Sequence, residues 1–450
     1  MSKPASPMSA APSQQQLPPV WAIVIPVFIE LVLTFSIFFS DSYFLSRISD
    51  QVAAGVGTVI PIFMVCVLVF MMMAQGASNV AGQFLGARKP EQAGQAYCAA
   101  LVINTVLGGV AALALSQGAT TVAGVLGLAG ETQVHGAAFL HAIAPALLLI
   151  SVKYGLACVF ISHGKTIWNM FGGLLAIAVN IGLNIRYQRM GMGIEGVALA
   201  TIMAQVAVIV FYVAVIALRM KVSYHWSRFM REMALPVRTV LRIGVPSVVM
   251  PVSSEMAMLV IAAAAVHLGT EAMAARVYVM NLATVALCWA AAVSIGNQVL
   301  VAILTGARQP VAADAVLRRN LVIAIAGSLV IAALLRLAGP QLVGIFTQDP
   351  RIIAISLDLL TVGLVLEAAR SFGTLTSFAL KAAGDANFPA LVGVSVTWCV
   401  AVPLALYLCL YTGAGMVGLW LGLAVDEGLR GAINFMRWNA GVWQSKSVAA

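Results

Sequence analysis

The chain has 450 residues, of which 61% are hydrophobic and only 9% charged, with a net charge of +9. Water-soluble domains carry about a quarter charged residues, so this composition excludes one. The positive excess invites a nucleic-acid partner, but its distribution argues against that reading, as shown below.

Residues 1–17 are rich in Pro, Ser, Ala and Gln and lack the cationic start and small-residue cleavage site of a signal peptide; they read as a retained, disordered tail. Apolar runs long enough to cross about 30 Å of hydrocarbon as helices then follow one another. Twelve are expected, near 18–46, 52–77, 95–118, 131–162, 165–187, 193–219, 240–268, 271–304, 314–338, 351–380, 388–412 and 415–440. No segment alternates apolar and polar residues for long enough to suggest a membrane β-barrel. The fold class is therefore an all-α polytopic membrane protein.

The first run carries Glu30 and Asp41. Eleven residues at 100° each bring them within about 20° of one helix face, roughly 16 Å apart along the axis. Pro26, one turn before Glu30, can loosen the helix. Ionisable groups are costly in hydrocarbon, so both acids are candidates for binding a proton or a cation; hydrogen bonding to neighbouring helices is the structural alternative. Lys153 is the lone positive charge in the fourth run, and either pairs with an acid of this half or extends to the interface.

Basic residues collect on one set of connections, including Lys89, Lys165, Arg228, Arg308 and Lys381. The other set holds Arg47, Arg186, Arg189, Arg276, Arg336 and Arg351. This is the positive-inside bias, and it places both termini in the cytoplasm of an inner (plasma) membrane. The densest basic stretch, from Arg219 to Arg242, lies mid-chain and reads as a cytoplasmic linker with an amphipathic surface helix.

That linker divides a repeat. "GARKPEQAG" at Gly86 recurs as "GARQPVAAD" at Gly306, 220 positions on. Gly164 in "HGKT" and Gly384 in "AGDA" keep the same offset. "GIEGVALA" at Gly193 returns as "GMVGLWLG" at Gly415, at an offset of 222. Six helices per copy is an even number, so the copies enter from the same side as parallel repeats around a central cleft. The expected organisation is a six-helix N-lobe at 18–219, a linker at 220–238, a six-helix C-lobe at 239–441 and a tail at 442–450.

Enzymatic and ATP-driven readings find no support. A Walker A loop at "HGKT" would need glycine where Val159 stands, and no H-E-x-x-H or G-x-S-x-G occurs. The six cysteines lie in apolar runs without metal or disulfide spacing. His141 and His267 lack partners at metal-binding spacing. Met71 to Met73 read mainly as packing residues.

The stretch from Pro26 to Gly57, "PVFIELVLTFSIFFSDSYFLSRISDQVAAGVG", resembles the opening of multidrug and toxic compound extrusion (MATE) transporters. The resemblance continues through "GQFLGARKPEQAG", "VNIGLN", "GIEGVALAT", "GVPSVVMPVSSEM" and "LEAARSFGTLTSFALKAAGDANFPA" to "GLWLGLAVDEGLRGAINFMRW", almost the whole chain. It implies an antiporter that exports bulky cationic or amphipathic compounds in exchange for H+ or Na+. By the same resemblance Asp41 belongs to an N-lobe coupling site with Asn180, Asn184 and Thr201, and Glu30 lies on the same helix. Where some members carry a second carboxylate on helix five, this chain has an amide. In the C-lobe, the seventh-helix acid corresponds to Glu255, and the tenth-helix acid aligns near Arg370, with Glu367 about a turn away. Na+ is then expected at Asp41 or Glu255, with no other metal or cofactor. Glu367–Arg370 and Asp426–Glu427–Arg430 also have the spacing of helical ion pairs. The expected partners are a small-molecule substrate and membrane lipids, with the chain a monomer. The alternatives are a flippase of a lipid-linked precursor, an exporter of a natural product, and a non-transporting scaffold.

Overall fold

The computed structural model describes residues 17–220, 222 and 226–449. The expected N-terminal tail lies outside them except for Leu17. Among the described residues every regular element is helical. The N-lobe comprises α1 (Val20–Ser46), α2 (Asp50–Gly86), α3 (Pro90–Val125), α4 (Gly130–Ser162), α5 (Ile167–Arg189) and α6 (Gly193–Arg219). A short α7 (Trp226–Glu232) leads into the C-lobe. That lobe holds α8 (Ala234–Val266), α9 (Thr270–Gly306), α10 (Pro310–Leu337), α11 (Gly339–Gly344), α12 (Pro350–Ala382), α13 (Asn387–Val396), α14 (Val402–Tyr411) and α15 (Gly415–Asn439).

Among the described residues eleven spans, counting α13 to α14 as one, are long and apolar enough to cross a membrane. α15 completes the twelve; it is 25 residues long but carries Asp426, Glu427 and Arg430. The eleventh span is interrupted by a π-helical turn, Thr397–Ala401, just before Pro403. Proline has no N–H to continue the ladder, and the wider turn absorbs the missing bond. α8 starts at Ala234, inside the stretch read as linker, so the expected surface helix is reduced to α7. The expected C-terminal tail is folded: Trp443 is buried and stacks on Trp438, with ring centroids 4.1 Å apart.

Local chemistry explains where the helices start and stop. The Ser49 hydroxyl accepts from the Val52 N–H, with Asp50 in the first turn of α2. Pro90 and Pro310 open α3 and α10, where a missing N–H costs nothing. The two "GAR" turns are the same structure twice. Arg88 and Arg308 both take left-handed backbone angles, with φ of 58° and 57°. The next N–H closes the helix behind each, from Lys89 to the Phe84 carbonyl at 2.8 Å and from Gln309 to the Leu304 carbonyl at 2.9 Å.

The repeat extends to the packing between lobes. A Cβ placed on Gly86 would lie 1.9 Å from the Ile303 carbonyl oxygen, and one on Gly306 would lie 1.9 Å from the Gln83 carbonyl oxygen. These contacts are each other's images at the offset of 220. So are two others: a Cβ on Gly76 would meet the Gly244 Cα at 2.6 Å, and one on Gly296 would meet the Val24 Cγ2 at 2.7 Å. In lipid, helices associate through close van der Waals packing rather than exclusion of water, and only glycine lets backbones approach this closely.

The lobes also exchange helix halves. Val20, Ile23, Val24 and Val27 of α1 pack into a core made mainly by α9, α10 and α12, with Trp438 and Trp443. Their images Val240 and Ile243 of α8 pack into the core of α2, α3, α4 and α6. Beyond Pro26, α1 returns to its own lobe, where Ile37, Phe44 and Leu45 are buried. Pro246 holds the equivalent place in α8. These contacts gather toward the side of the "GAR" turns, so the lobes are joined there.

Substituting Gly86 with Leu places a side chain against a backbone carbonyl that cannot yield. The expected cost is about 1–3 kcal/mol, read as a lower thermal midpoint of the purified protein. Gly182, with nothing near its missing Cβ, accepts Ala without loss. Equal midpoints for the two variants would show that the crossing is not tightly packed.

Candidate functional site

In the N-lobe, α1, α5 and α6 bring Asp41, Asn180, Asn184 and Thr201 together, with all four side chains buried. Asn180 and Asn184 are one helical turn apart, so both amides face α1. Each donates from Nδ2 to Asp41 Oδ1, at 3.0 and 2.9 Å, and the Thr201 hydroxyl donates to Oδ2 at 2.9 Å. Asn184 also donates to Asn180 Oδ1, and Asn180 to Thr201 Oγ1, both at 3.2 Å. Among the described residues no cation pairs with this carboxylate; dipoles hold it. Removing it from water without a counter-charge is expensive, and three donors only partly offset that cost.

The same residues are an oxygen-rich set. Asn184 Oδ1 is buried without a partner. Turning the two amides over would present a carboxylate, two carbonyls and a hydroxyl to a small monovalent cation. As they stand, both amides and the hydroxyl donate toward Asp41. Among the described residues no group of three His, Cys, Asp or Glu side chains gathers as a metal site.

Thr201 also lines a cavity of about 40 Å³ with Glu30, Thr34, Lys153, Tyr154 and Gln205. That is room for a few water molecules. Glu30 and Lys153 face the same space and feel each other's charge, but are too far apart for an ion pair. The Lys153 ammonium lies 4.3 Å from the Tyr154 ring centroid. Glu30 lines this polar pocket, and Asp41 adjoins it through Thr201. Gln205, whose Oε1 is buried and unpartnered, belongs to this pocket and was not singled out from sequence.

The C-lobe lacks this constellation. At offsets of 220 to 222, the positions of Asp41, Asn180, Asn184 and Thr201 hold Ile261, Val400, Leu404 and Leu423. It has instead a cavity of about 670 Å³, to which Leu68 and Met72 of α2 contribute one wall. Glu255 stands on this cavity, with no hydrogen bond or ion pair among the described residues. Glu367 and Arg370 are ion-paired beside it. Arg430 bridges Asp426 at 2.9 Å and Glu427 at 2.8 Å, and Thr397 in the π-helical turn donates to Asp426 at 3.0 Å. The two clusters, seen in the sequence as separate helical pairs, share one cavity with Glu255. In the N-lobe their places are taken by Leu147, Ile150, Ala204, Gln205 and Val208. Lys381, placed by the sequence on a cytoplasmic connection, is instead 3% exposed at the end of α12 and lines the same cavity.

The chain matches the model of the MatE family twice, over residues 26–185 and 246–407, the two halves of the repeat. It is 26% identical over 441 residues to the uncharacterized transporter YisQ of Bacillus subtilis (strain 168), covering 96% of each chain. It is 23% identical over 438 residues to a probable multidrug resistance protein NorM of Thermotoga maritima, covering 95% of this chain and 93% of that one. Among solved structures, a MATE protein in the bent conformation superposes with a TM-score of 0.87 at 19% identity, over 95% of this chain and 96% of that one. An outward-facing multidrug resistance MATE transporter gives 0.86 at 19% identity, over 94% and 95%.

Exchanging Arg430 for Met strands two carboxylates, and the expected loss is about 3–5 kcal/mol. Arg370→Met strands one, and its guanidinium is 20% exposed, so the loss is smaller. Thermal unfolding in detergent orders the two; a milder effect at Arg430 would mean that Asp426 and Glu427 find other partners.

Proposed function

This chain belongs to the MATE family of membrane transporters, a multidrug efflux family, and from that membership we propose that it is a secondary active antiporter. Its cargo is a bulky cationic or amphipathic organic compound, exchanged for H+ or Na+ that enters down its gradient. The observation that carries the reading is the buried Asp41 carboxylate, held by three neutral donors with no cation and adjoining a polar pocket. A group so placed accepts a proton or a small cation at less cost than it holds bare charge.

The coupling step follows from the hydrogen bonds. A protonated Asp41 becomes a donor, so one of its three donors loses its acceptor and the contacts among α1, α5 and α6 must change. A bound monovalent cation forces a comparable change by drawing in the amide oxygens. Either change acts on α1, whose first half is packed in the other lobe. Pro26 is where that helix can bend, because its ring removes a backbone bond. Ion binding in the N-lobe thereby bears on the contact between lobes, as alternating access requires.

The positive-inside bias puts the "GAR" turns, and both termini, in the cytoplasm of an inner membrane. The side joined by the glycine contacts is then the cytoplasmic one, and the cleft opens outward. The chain works as a monomer on this reading, with no cofactor beyond the coupling ion.

The decisive measurement is drug flux in proteoliposomes with pH and Na+ gradients imposed separately. Asp41→Asn keeps size but cannot change charge; it is expected to abolish gradient-driven flux, while Asp426→Asn does less harm. Wild-type flux in Asp41→Asn under both gradients would move the coupling site to Glu255. Cysteines placed at Lys89, Arg228 and Arg308 are expected to label only from the inside; labelling from outside would reverse the topology.

A further inference from the structure

We propose that the C-lobe cavity contains an anion subsite, built on Lys381 with Arg430 beside it, that takes the carboxylate of an amphipathic substrate. This rests on the antiporter reading and names its substrate class: compounds that carry a carboxylate beside an apolar or cationic body.

Lys381 is 3% exposed and lies among the residues that line the cavity. Among the described residues its ammonium has no hydrogen-bond or ion-pair partner. It lies 5.3 Å from the Phe378 ring centroid, and the charged group that acts on it is the like-charged Arg430. Arg430 is 4% exposed, and although its Nη2 is shared by two carboxylates, its Nη1 is buried without a partner. Arg430 is thus neutralised by its two carboxylates, and what stays open on this cavity is the Lys381 ammonium and one buried Arg430 N–H; buried donors without an acceptor are costly unless an anion completes them.

A structural role explains this less well. A lysine near a helix end ordinarily extends its ammonium to the membrane surface. Lys381 sits in the last turn of α12, yet its head is buried against Phe378. The N-lobe shows that the fold needs no charge here, since the matching positions are Ile161 and Val208, and both pack as ordinary core residues. The cavity, at about 670 Å³, is within the range that holds drug-sized ligands. Its unpaired acid, Glu255, stands on the same cavity, so a zwitterion would find both charges matched.

Lys381 also adjoins the closed side of the cleft. The carbonyl of the next residue, Ala382, accepts from Gln83 Nε2 of the other lobe at 2.7 Å. An anion bound at Lys381 would therefore sit at the base of the cavity, next to a contact that opening the cytoplasmic side must break.

The test uses two probes, rhodamine B and its ethyl ester, which differ only in the carboxylate. Binding to the full chain in nanodiscs is read by fluorescence anisotropy, and flux by proteoliposome assay. Wild type is expected to bind rhodamine B about tenfold or more tighter than the ester, the size of one charge-assisted contact. Lys381→Met is expected to bring the ratio of dissociation constants to about one, and Lys381→Arg to retain most of it. Met fills the space and removes a buried charge, so its thermal midpoint should not fall below wild type. Equal binding of the probes by wild type, binding of neither, or a preference that survives Lys381→Met would each overturn the subsite. If the preference follows Lys381 but no gradient drives flux of either dye, the subsite stands and the antiporter reading falls.

Discussion

The close crossing of α2 and α9 is the constraint on which the rest of the structure depends. In hydrocarbon there is little to gain from hiding one apolar helix behind another, so two lobes stay together only where their backbones touch. Gly86 and Gly306 permit that touch, each against the carbonyl three residues before the other. Gly76 and Gly296, on the same two helices, bring α2 against α8 and α9 against α1. Because these glycine contacts are images of one another, the backbone interface is a near two-fold joint on one side of the membrane. A joint of that kind leaves the far side free to open.

Upon this symmetric frame the chemistry is deliberately unequal. The N-lobe keeps one carboxylate in a shell of neutral donors, beside a pocket for a few waters. The C-lobe replaces that shell with aliphatic side chains and puts ion pairs in a much larger cavity. A small site of neutral dipoles suits a proton or monovalent ion, which is all it has room for. A large cavity of mixed charge and apolar wall suits an organic molecule. The proposed division of labour between ion and cargo rests on this difference in where each lobe places its buried polar groups.

The exchange of helix halves connects the two. The first turns of α1 belong to the C-lobe core, and the turns that carry Asp41 belong to the N-lobe. A change in the hydrogen bonds of Asp41 is therefore felt by a helix with a foothold on each side of the joint. The folded C-terminal segment adds a further link: Gln83 of α2 accepts from Ser447 and from the Val448 N–H, and Lys89 donates to the Ala449 carbonyl. Gln83 so spends its whole side chain on holding the C-lobe and its tail to the N-lobe.

Much of this was legible in the residues alone. Span length, the offset of 220 and the paired "GAR" turns are local or periodic features, and helices in lipid obey local rules because every backbone polar group must be satisfied within its own segment. Asn180 and Asn184 at helical spacing, with an acid on the first span, likewise marked an oxygen-rich site through the family pattern. What the sequence did not contain was distance between segments. That the Asp41 shell adjoins the Glu30 and Lys153 pocket, that two helical ion-pair clusters share one cavity, and that α1 divides between the lobes all depend on how helices far apart in the chain pack. Lys381 is the clearest instance: beside a turn in the sequence it reads as a surface charge, and only the packing of α12 against α15 buries it facing a cavity.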